Sequence, residues 1–467
     1  MRHFACRFLA ASSAALLVLA AGAATRPRYG GTLRVEIPAK LLTLDAAEPL
    51  GVAEAEALRK LHALIYDRLV RLDPQGQPQP ALALSWEHDA QAAKWRFKLR
   101  TDVKWQDGAP LTPEDLVAAL KGSAAGTSVH QVGEELEIDA GGASPGLLTT
   151  LATDASLSIR RAGELAGALP IGTGPFRLTT WEPGGRAVLQ ANEDYWDGRP
   201  FVDSIEIQMG RASRDELLDL ELGKADVAEF DPVEAHRAQQ EGKKVWASSP
   251  VELLYLRFNP DRPAVQDRRV RQALADSIDR AAIQKVLLQN YGDVAGSIFP
   301  QWRSGYTFLF PTAMNLERAR QLIAEVGAAL ALKLGYDPGD TLARQTAERV
   351  AVNARDAGIT LQVVPLPEGW KRMPEGIDLV LERARVDGSI VDTVQTGAIT
   401  RKWLPLSGQG SPEQTYASER RFVDSLAVVP LVHVPELLGI GPRVMDWSAT
   451  PWGAWHLEQV SLQGEKP

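Results

Sequence analysis

The sequence predicts a mixed α/β protein built from more than one domain, and three observations carry that expectation. The chain has 467 residues, more than one hydrophobic core usually organises, which suggests two or three domains. Period-two alternation, as in Trp95-Arg96-Phe97-Lys98-Leu99, recurs between stretches of helical period such as Val270, Ala273, Leu274, Ser277 and Ile278. The composition is 45% hydrophobic and 24% charged, which is globular usage and excludes disorder, collagen and long coiled coil.

The first element is a candidate export signal over 1–23. Arg2 and Arg7 make a basic start, and 8–21 is an apolar run too short to span ~30 Å of hydrocarbon. Ala21-Gly22-Ala23 offers the small residues of a cleavage site. Cleavage there removes Cys6, the only cysteine, so neither a lipid anchor nor a disulfide is expected. It also removes two arginines from a chain whose net charge is already −8, which argues against nucleic acid as a partner.

The following elements read in order. The run 29–38 alternates like a strand entering a sheet, and 52–66 carries Leu58, Leu61 and Ile65 at helical spacing. Asp73-Pro74-Gln75-Gly76 is a turn. Thr112-Pro113-Glu114-Asp115 starts a helix, with Thr as N-cap and Pro at its first position. The small-residue stretch 122–146 predicts a loop with one short strand at 135–138. Ser213-Arg214-Asp215-Glu216 reads as a capping box. Asp279 caps a helix bearing Ile283, Val286 and Leu287. From 316 to 364 the pattern is helix to Gly327, strand at 330–336, helix at 341–357 and strand at 359–363, which predicts parallel pairing. A last strand is expected from Asp378 to Ala384.

Signatures of catalysis are missing from this sequence. It holds no G-x-S-x-G, H-E-x-x-H, G-x-x-x-x-G-K-[ST] or G-x-G-x-x-G. Six histidines follow the signal (His62, His88, His130, His236, His433 and His456), and no two lie within four residues, so no local metal pair exists. No cofactor is implied. The 59 acidic residues allow a chance catalytic dyad, and the 12 tryptophans offer either cleft lining or core packing.

The joint order of short motifs says more than any one of them. It runs Tyr29-Gly30-Gly31-Thr32-Leu33, Ile65-Tyr66-Asp67-Arg68-Leu69, Val103-Lys104-Trp105-Gln106-Asp107-Gly108 and Ile171-Gly172-Thr173-Gly174-Pro175-Phe176. Asn192-Glu193-Asp194-Tyr195-Trp196, Leu222-Gly223-Lys224-Ala225-Asp226 and the helix from Arg268 to Leu274 after Phe258-Asn259 follow. The series closely resembles the family 5 extracellular solute-binding proteins, the peptide- and nickel-type receptors of ATP-binding cassette importers.

The resemblance implies a two-lobed periplasmic binding protein fold (type II-like) with an extra domain on the first lobe. Carried onto this chain, the main lobe takes 29–40, 165–257 and 430–462, the extra domain 41–164 and the second lobe 258–429. It implies a monomeric periplasmic receptor, not an enzyme. The receptor captures a peptide or similar small polar ligand by hinged closure and delivers it to an inner-membrane permease. In peptide receptors of the family a strand ends in a Trp-x-Ala-Asp-Tyr-like segment whose Asp pairs with the ligand's α-amino group. Here the aligned acid is Asp387, with Ala384 and Gly388 in place of the aromatics. A solvated turn over Val386-Asp387-Gly388-Ser389 is the structural alternative. Two other functions fit the residues: a degenerate receptor serving as a protein-partner or sensor subunit, and an exported hydrolase.

Overall fold

The computed structural model describes residues 28–45, 48, 50–73, 75–121, 128–142, 144, 146–161, 169–304, 310–367, 370, 373–386, 412–450 and 455–463. The expected export signal and Asp387 lie outside the described residues.

Among the described residues one mixed sheet of eleven strands runs through both lobes. At one end, Leu330–Tyr336 pairs in parallel with Ile359–Pro365 and with Leu379–Arg385, as the helix-linked pattern requires. At the other, Thr32–Ile37 pairs in parallel with Ser204–Met209 and Val227–Glu229, and the hairpin Phe176–Glu182/Arg186–Ala191 completes that side. Two long antiparallel strands, Lys244–Phe258 and Val428–Ile440, cross between the halves. One end of Val428–Ile440 pairs with Val227–Glu229 of the first lobe, while the far half of Lys244–Phe258 pairs with Leu379–Arg385 of the second.

Three main cores follow this division. The first-lobe core takes Leu33, Val35, Ile205, Ile207, Leu438 and, from the helix Val52–Ile65, Ala57, Leu58, Leu61, Leu64 and Ile65. The second-lobe core takes Val270, Ala273 and Leu274 of the helix Arg268–Ser277, with Leu332, Leu334, Ala347 and Leu379. A third core lies under the four-stranded sheet of Ala83–His88, Lys94–Leu99, Glu135–Asp139 and Ser128–Val132 and holds Trp95, Phe97, Leu136 and Leu116. The helix Val52–Ile65 packs its apolar face into the first-lobe core.

Two local expectations are corrected. Within 122–146 the described residues form a hairpin, Ser128–Val132 with Glu135–Asp139, because Leu136 and Ile138 reach the third core and their neighbours are partly exposed. The capping box at 213–216 does not form. The helix Ser213–Glu221 starts after Ala212 with no side-chain cap, and its Glu216 points inward and is fully buried. By contrast Thr112 and Asp115 make the expected reciprocal cap.

The motifs converge on one joint between the extra domain and the first lobe. Asp67 accepts hydrogen bonds from Thr173 Oγ1 (2.9 Å), Tyr195 OH (3.1 Å) and Trp196 Nε1 (2.9 Å). Gln106 donates from Nε2 to the carbonyls of Ile65, Gly174 and Phe176, and its Oε1 accepts from the Gly172 amide at 3.0 Å. A Cβ on Gly172 would stand 2.0 Å from the Ile65 carbonyl oxygen, so only glycine allows this approach. Arg34 similarly grips Asp226 with its Nε and Nη2 at 2.9 Å each. These motifs build the frame.

Candidate functional site

The site is positioned by the crossing strands. Their register shifts twice between Ala247 and Glu252, where Pro250 faces Pro435. Proline has no amide to donate, so ladder bonding is interrupted on both strands at the same level. The Glu436 amide donates instead to Ser248 Oγ at 2.8 Å. A weakened ladder at a level where both strands pass between lobes is what a hinge needs.

Charged side chains from both lobes meet beside this point. The helix Val52–Ile65 anchors its apolar stripe in the first-lobe core and turns Glu56, Arg59 and Lys60 toward the interface. On Leu379–Arg385 the residues Leu379 and Leu381 stay in the second-lobe core, and the same face continues outward as Arg383 and Arg385. Glu252 lies directly opposite Arg385 on the neighbouring strand. Asp340, the N-cap of the helix Thr341–Asp356, closes the set on the second-lobe side.

The pairs are close. Arg385 Nη1 lies 2.7 Å from Glu56 Oε2 and so bridges the two lobes. Arg59 holds the same Glu56 oxygen from within the helix, with Nη2 at 3.0 Å. Arg383 Nε lies 3.2 Å from Glu252 Oε2 and 3.4 Å from Asp340 Oδ2. Lys60 Nζ donates to Glu229 Oε2 at 3.1 Å, pairs with Glu436 and sits 4.9 Å above the Trp455 ring. Beneath Lys60 and Leu61 an apolar cavity lined by Ile37, Leu41, Ile207 and Met209 has room for about one water.

Burial and pairing set the charges in opposite directions. Burial opposes ionisation of Glu56, but Arg385, Arg59 and Lys60 outweigh it and hold its carboxyl down at about 2. For Glu252 burial wins: despite Arg383, and with Glu56 and Asp340 adding repulsion, its carboxyl rises to about 7. Lys60 and Arg383 lose solvation too, yet the acids around them raise both above their ordinary values.

His62 Nε2 lies 3.1 Å from the Leu44 carbonyl and His433 Nε2 3.1 Å from that of Ile298. Burial pushes them down to about 3 and about 4, so both stay neutral near pH 7. Among the described residues no group of three or more His, Cys, Asp or Glu is arranged to hold a metal ion. Of the residues aligned with the ligand-binding strand end, Ala384 pairs opposite Leu253. Val386 is buried and donates its amide to the Val251 carbonyl at 2.8 Å, which brings the chain to the hinge just before Asp387.

Glu56, Lys60, Glu229, Glu252, Asp340 and Glu436 escaped sequence reading because they come from separate elements with no fixed spacing. A usable signal was present in two of them. Glu252 and Glu436 are lone acids inside the apolar strands Val251-Glu252-Leu253-Leu254 and Val434-Pro435-Glu436-Leu437.

Two lobes on one continuous sheet, joined by paired crossing strands with polar groups facing each other across the gap, define a hinged binding protein. Residues 77–384 match the family model "Bacterial extracellular solute-binding proteins, family 5 Middle", and the chain belongs to that family. The peptide transport periplasmic protein SapA of Salmonella typhimurium is 26% identical over 66% of this chain. That match takes in 65% of SapA's own length, just under two thirds. Among solved structures, NikA from Brucella suis in complex with Fe(III)-EDTA has a TM-score of 0.81 at 20% identity, over 93% of this chain and 100% of that one. The oligopeptide-binding protein AppA from Bacillus subtilis in complex with a nonapeptide gives 0.75 at 18%, over 94% and 100%.

Proposed function

We propose that this chain is a periplasmic receptor that captures a peptide or a similar small polar solute between its lobes for an ATP-binding cassette importer. The observation that carries the reading is the hinge with charged groups of both lobes gathered beside it. Relatives named for peptide transport and a structural neighbour holding a nonapeptide support the peptide class. On this reading the chain acts by binding, not catalysis. It is exported through residues 1–23, works as a monomer and docks on an inner-membrane permease. Its extra domain takes 41–164, and Asp387 pairs with a ligand ammonium at a charge-assisted contact worth ~1.5–3 kcal/mol.

Native mass spectrometry of protein taken from its own periplasm without refolding tests this directly. A retained mass that fragments as a peptide is the expected result. Dissociation constants above ~100 μM, about −5.5 kcal/mol, for all di- to pentapeptides would sink the peptide version. One observation favours a second reading, the degenerate receptor that binds a protein partner: the cleft charges are already paired with one another. That reading expects a bare mass and no thermal shift with peptides, sugars or metal chelates.

A further inference from the structure

A third stretch of chain passes between the lobes beside the two long strands. Leu288 is buried in the second-lobe core, whereas Tyr291, on the loop that follows, packs on the cluster of Leu220, Ala235, Ala238 and Leu437 under the first-lobe helices Ser213–Glu221 and Pro232–Gln240. Tyr291 OH donates to Gln239 Oε1 at 3.1 Å. The chain then turns back along the crossing strands: Asp293–Val294 pairs with His433 and Val432, and Trp302 Nε1 donates to the carbonyl of Pro250 at 2.9 Å, at the register break itself. The loop between these anchors has little slack. Gln289, Asn290 and Gly292 have φ of 50°, 67° and 74°, and a Cβ on Gly292 would stand 2.2 Å from the His433 carbonyl oxygen.

This strap lies on the face of the crossing strands away from the charged cluster. Adjacent residues of a strand point to opposite faces. Leu437 and Val245 join the core that holds Tyr291, while their neighbours Leu438 and Trp246 join the core of the helix Val52–Ile65. That helix carries Glu56, so its bridge to Arg385 spans the lobes on the other side of the strands from Tyr291.

We propose that Tyr291 is a positioning residue that limits how far the lobes open, as a stop standing behind the hinge. The proposal deepens the receptor reading above and rests on its hinge. A rotation about the break at Pro250 and Pro435 that draws the charged faces apart brings the opposite faces together. Tyr291 stands in that closing gap, carried by one lobe and seated against the other. A close-packed core yields little, so the ring arrests the rotation against the helix Pro232–Gln240. The stop bears on binding because a solute held by both lobes loses apparent affinity in proportion to the time the lobes spend too far apart to hold it.

The test measures the opening directly. Spin labels are placed on Ala55→Cys and Thr341→Cys, exposed positions on the two helices that flank the charged cluster, in a Cys6→Ser background. Double electron–electron resonance then gives the distribution of distances across the cleft. Tyr291→Ala is expected to extend the long-distance edge of that distribution by about 5 Å or more, the depth that a packed aromatic ring fills. Tyr291→Phe keeps the ring and is expected to hold the edge where the parent has it. An unchanged edge in a Tyr291→Ala protein with the parent's circular dichroism overturns the proposal. So does an edge that moves as far in Tyr291→Phe, because the hydrogen bond to Gln239 and not the ring would then set the limit. If Tyr291→Ala does not fold, Tyr291→Leu takes its place, with an edge expected between those of the parent and a chain without the stop, and an edge at the parent's value overturns the assignment. The measurement needs no solute, so its failure is distinct from the bare mass in native mass spectrometry that counts against the receptor reading.

Discussion

At the scale of single residues, the motifs that identify the family and the side chains that line the cleft prove to be different sets. Asp67, Gln106, Gly172, Tyr195 and Trp196 were legible in the sequence, and they meet at a joint where each polar atom has a partner. Burial lifts the Asp67 carboxyl to about 6 even against three hydrogen bonds, which marks how closed that joint is. Gly172→Ala is therefore expected to destabilise the fold by about 1–3 kcal/mol or more, since the new methyl meets the Ile65 carbonyl and neither backbone can yield. Thermal unfolding followed by circular dichroism checks this, and an unchanged midpoint would refute the close-approach argument. The cleft set was not legible for a physical reason. Glu56, Glu252, Arg383 and Glu436 acquire their meaning only from partners up to 329 residues away along the chain, as Glu56 and Arg385 are. Ion pairing has no periodicity to read.

At the scale of elements, periodicity served well wherever one face met a core. The helix Leu316–Val326 ends at Gly327 in the left-handed conformation, and Leu330–Tyr336 pairs in parallel with Ile359–Pro365, both as their residues require. The crossing strands were harder, because a strand buried on both faces shows a continuous apolar run instead of alternation; Val428–Ile440 is buried at all but one position. What the run conceals is the break within it. Ser248 and Ser249 sit where register is lost, whereas Leu253–Arg257 stays paired on two sides, in unbroken register with Leu379–Arg385 and with one shift at Leu254/Tyr255 against Val428–Ile440. Amide hydrogen exchange should separate them, with Ser248 and Ser249 exchanging at least ~100-fold faster than Leu254 and Leu256 of the same strand. Uniform protection from Lys244 to Phe258 would mean that the lobes do not hinge there.

For the whole molecule, the buried acids give stability a direction with pH. Burial raises Glu36, Glu252 and Glu419 to about 7 and Glu216 to about 9. Glu216 is the extreme case, with both carboxylate oxygens unpartnered and Glu229, Glu36 and Asp231 adding repulsion that Arg211 only partly offsets. Each such group holds its proton in the folded state at a pH where the unfolded chain has released it. Their cost is absent below about pH 4.5, grows as pH rises and is complete only above the folded value. The buried histidines act the other way. Pushed down to about 3 and 4, His62 and His433 cost stability as pH falls below 6.5, where the unfolded chain gains protons first. The two trends overlap between pH 4.5 and 6.5, and above 6.5 only the acids remain. The unfolding midpoint is therefore expected to fall between pH 6.5 and 9. Glu216→Met, which replaces an unpartnered acid by an apolar side chain of similar length, should raise stability at pH 9 by about 1–3 kcal/mol and flatten that fall. A midpoint that climbs toward pH 9, or a Glu216→Met protein less stable than the parent at that pH, would show that Glu216 has a partner in solution and that its burial is not the source of the slope.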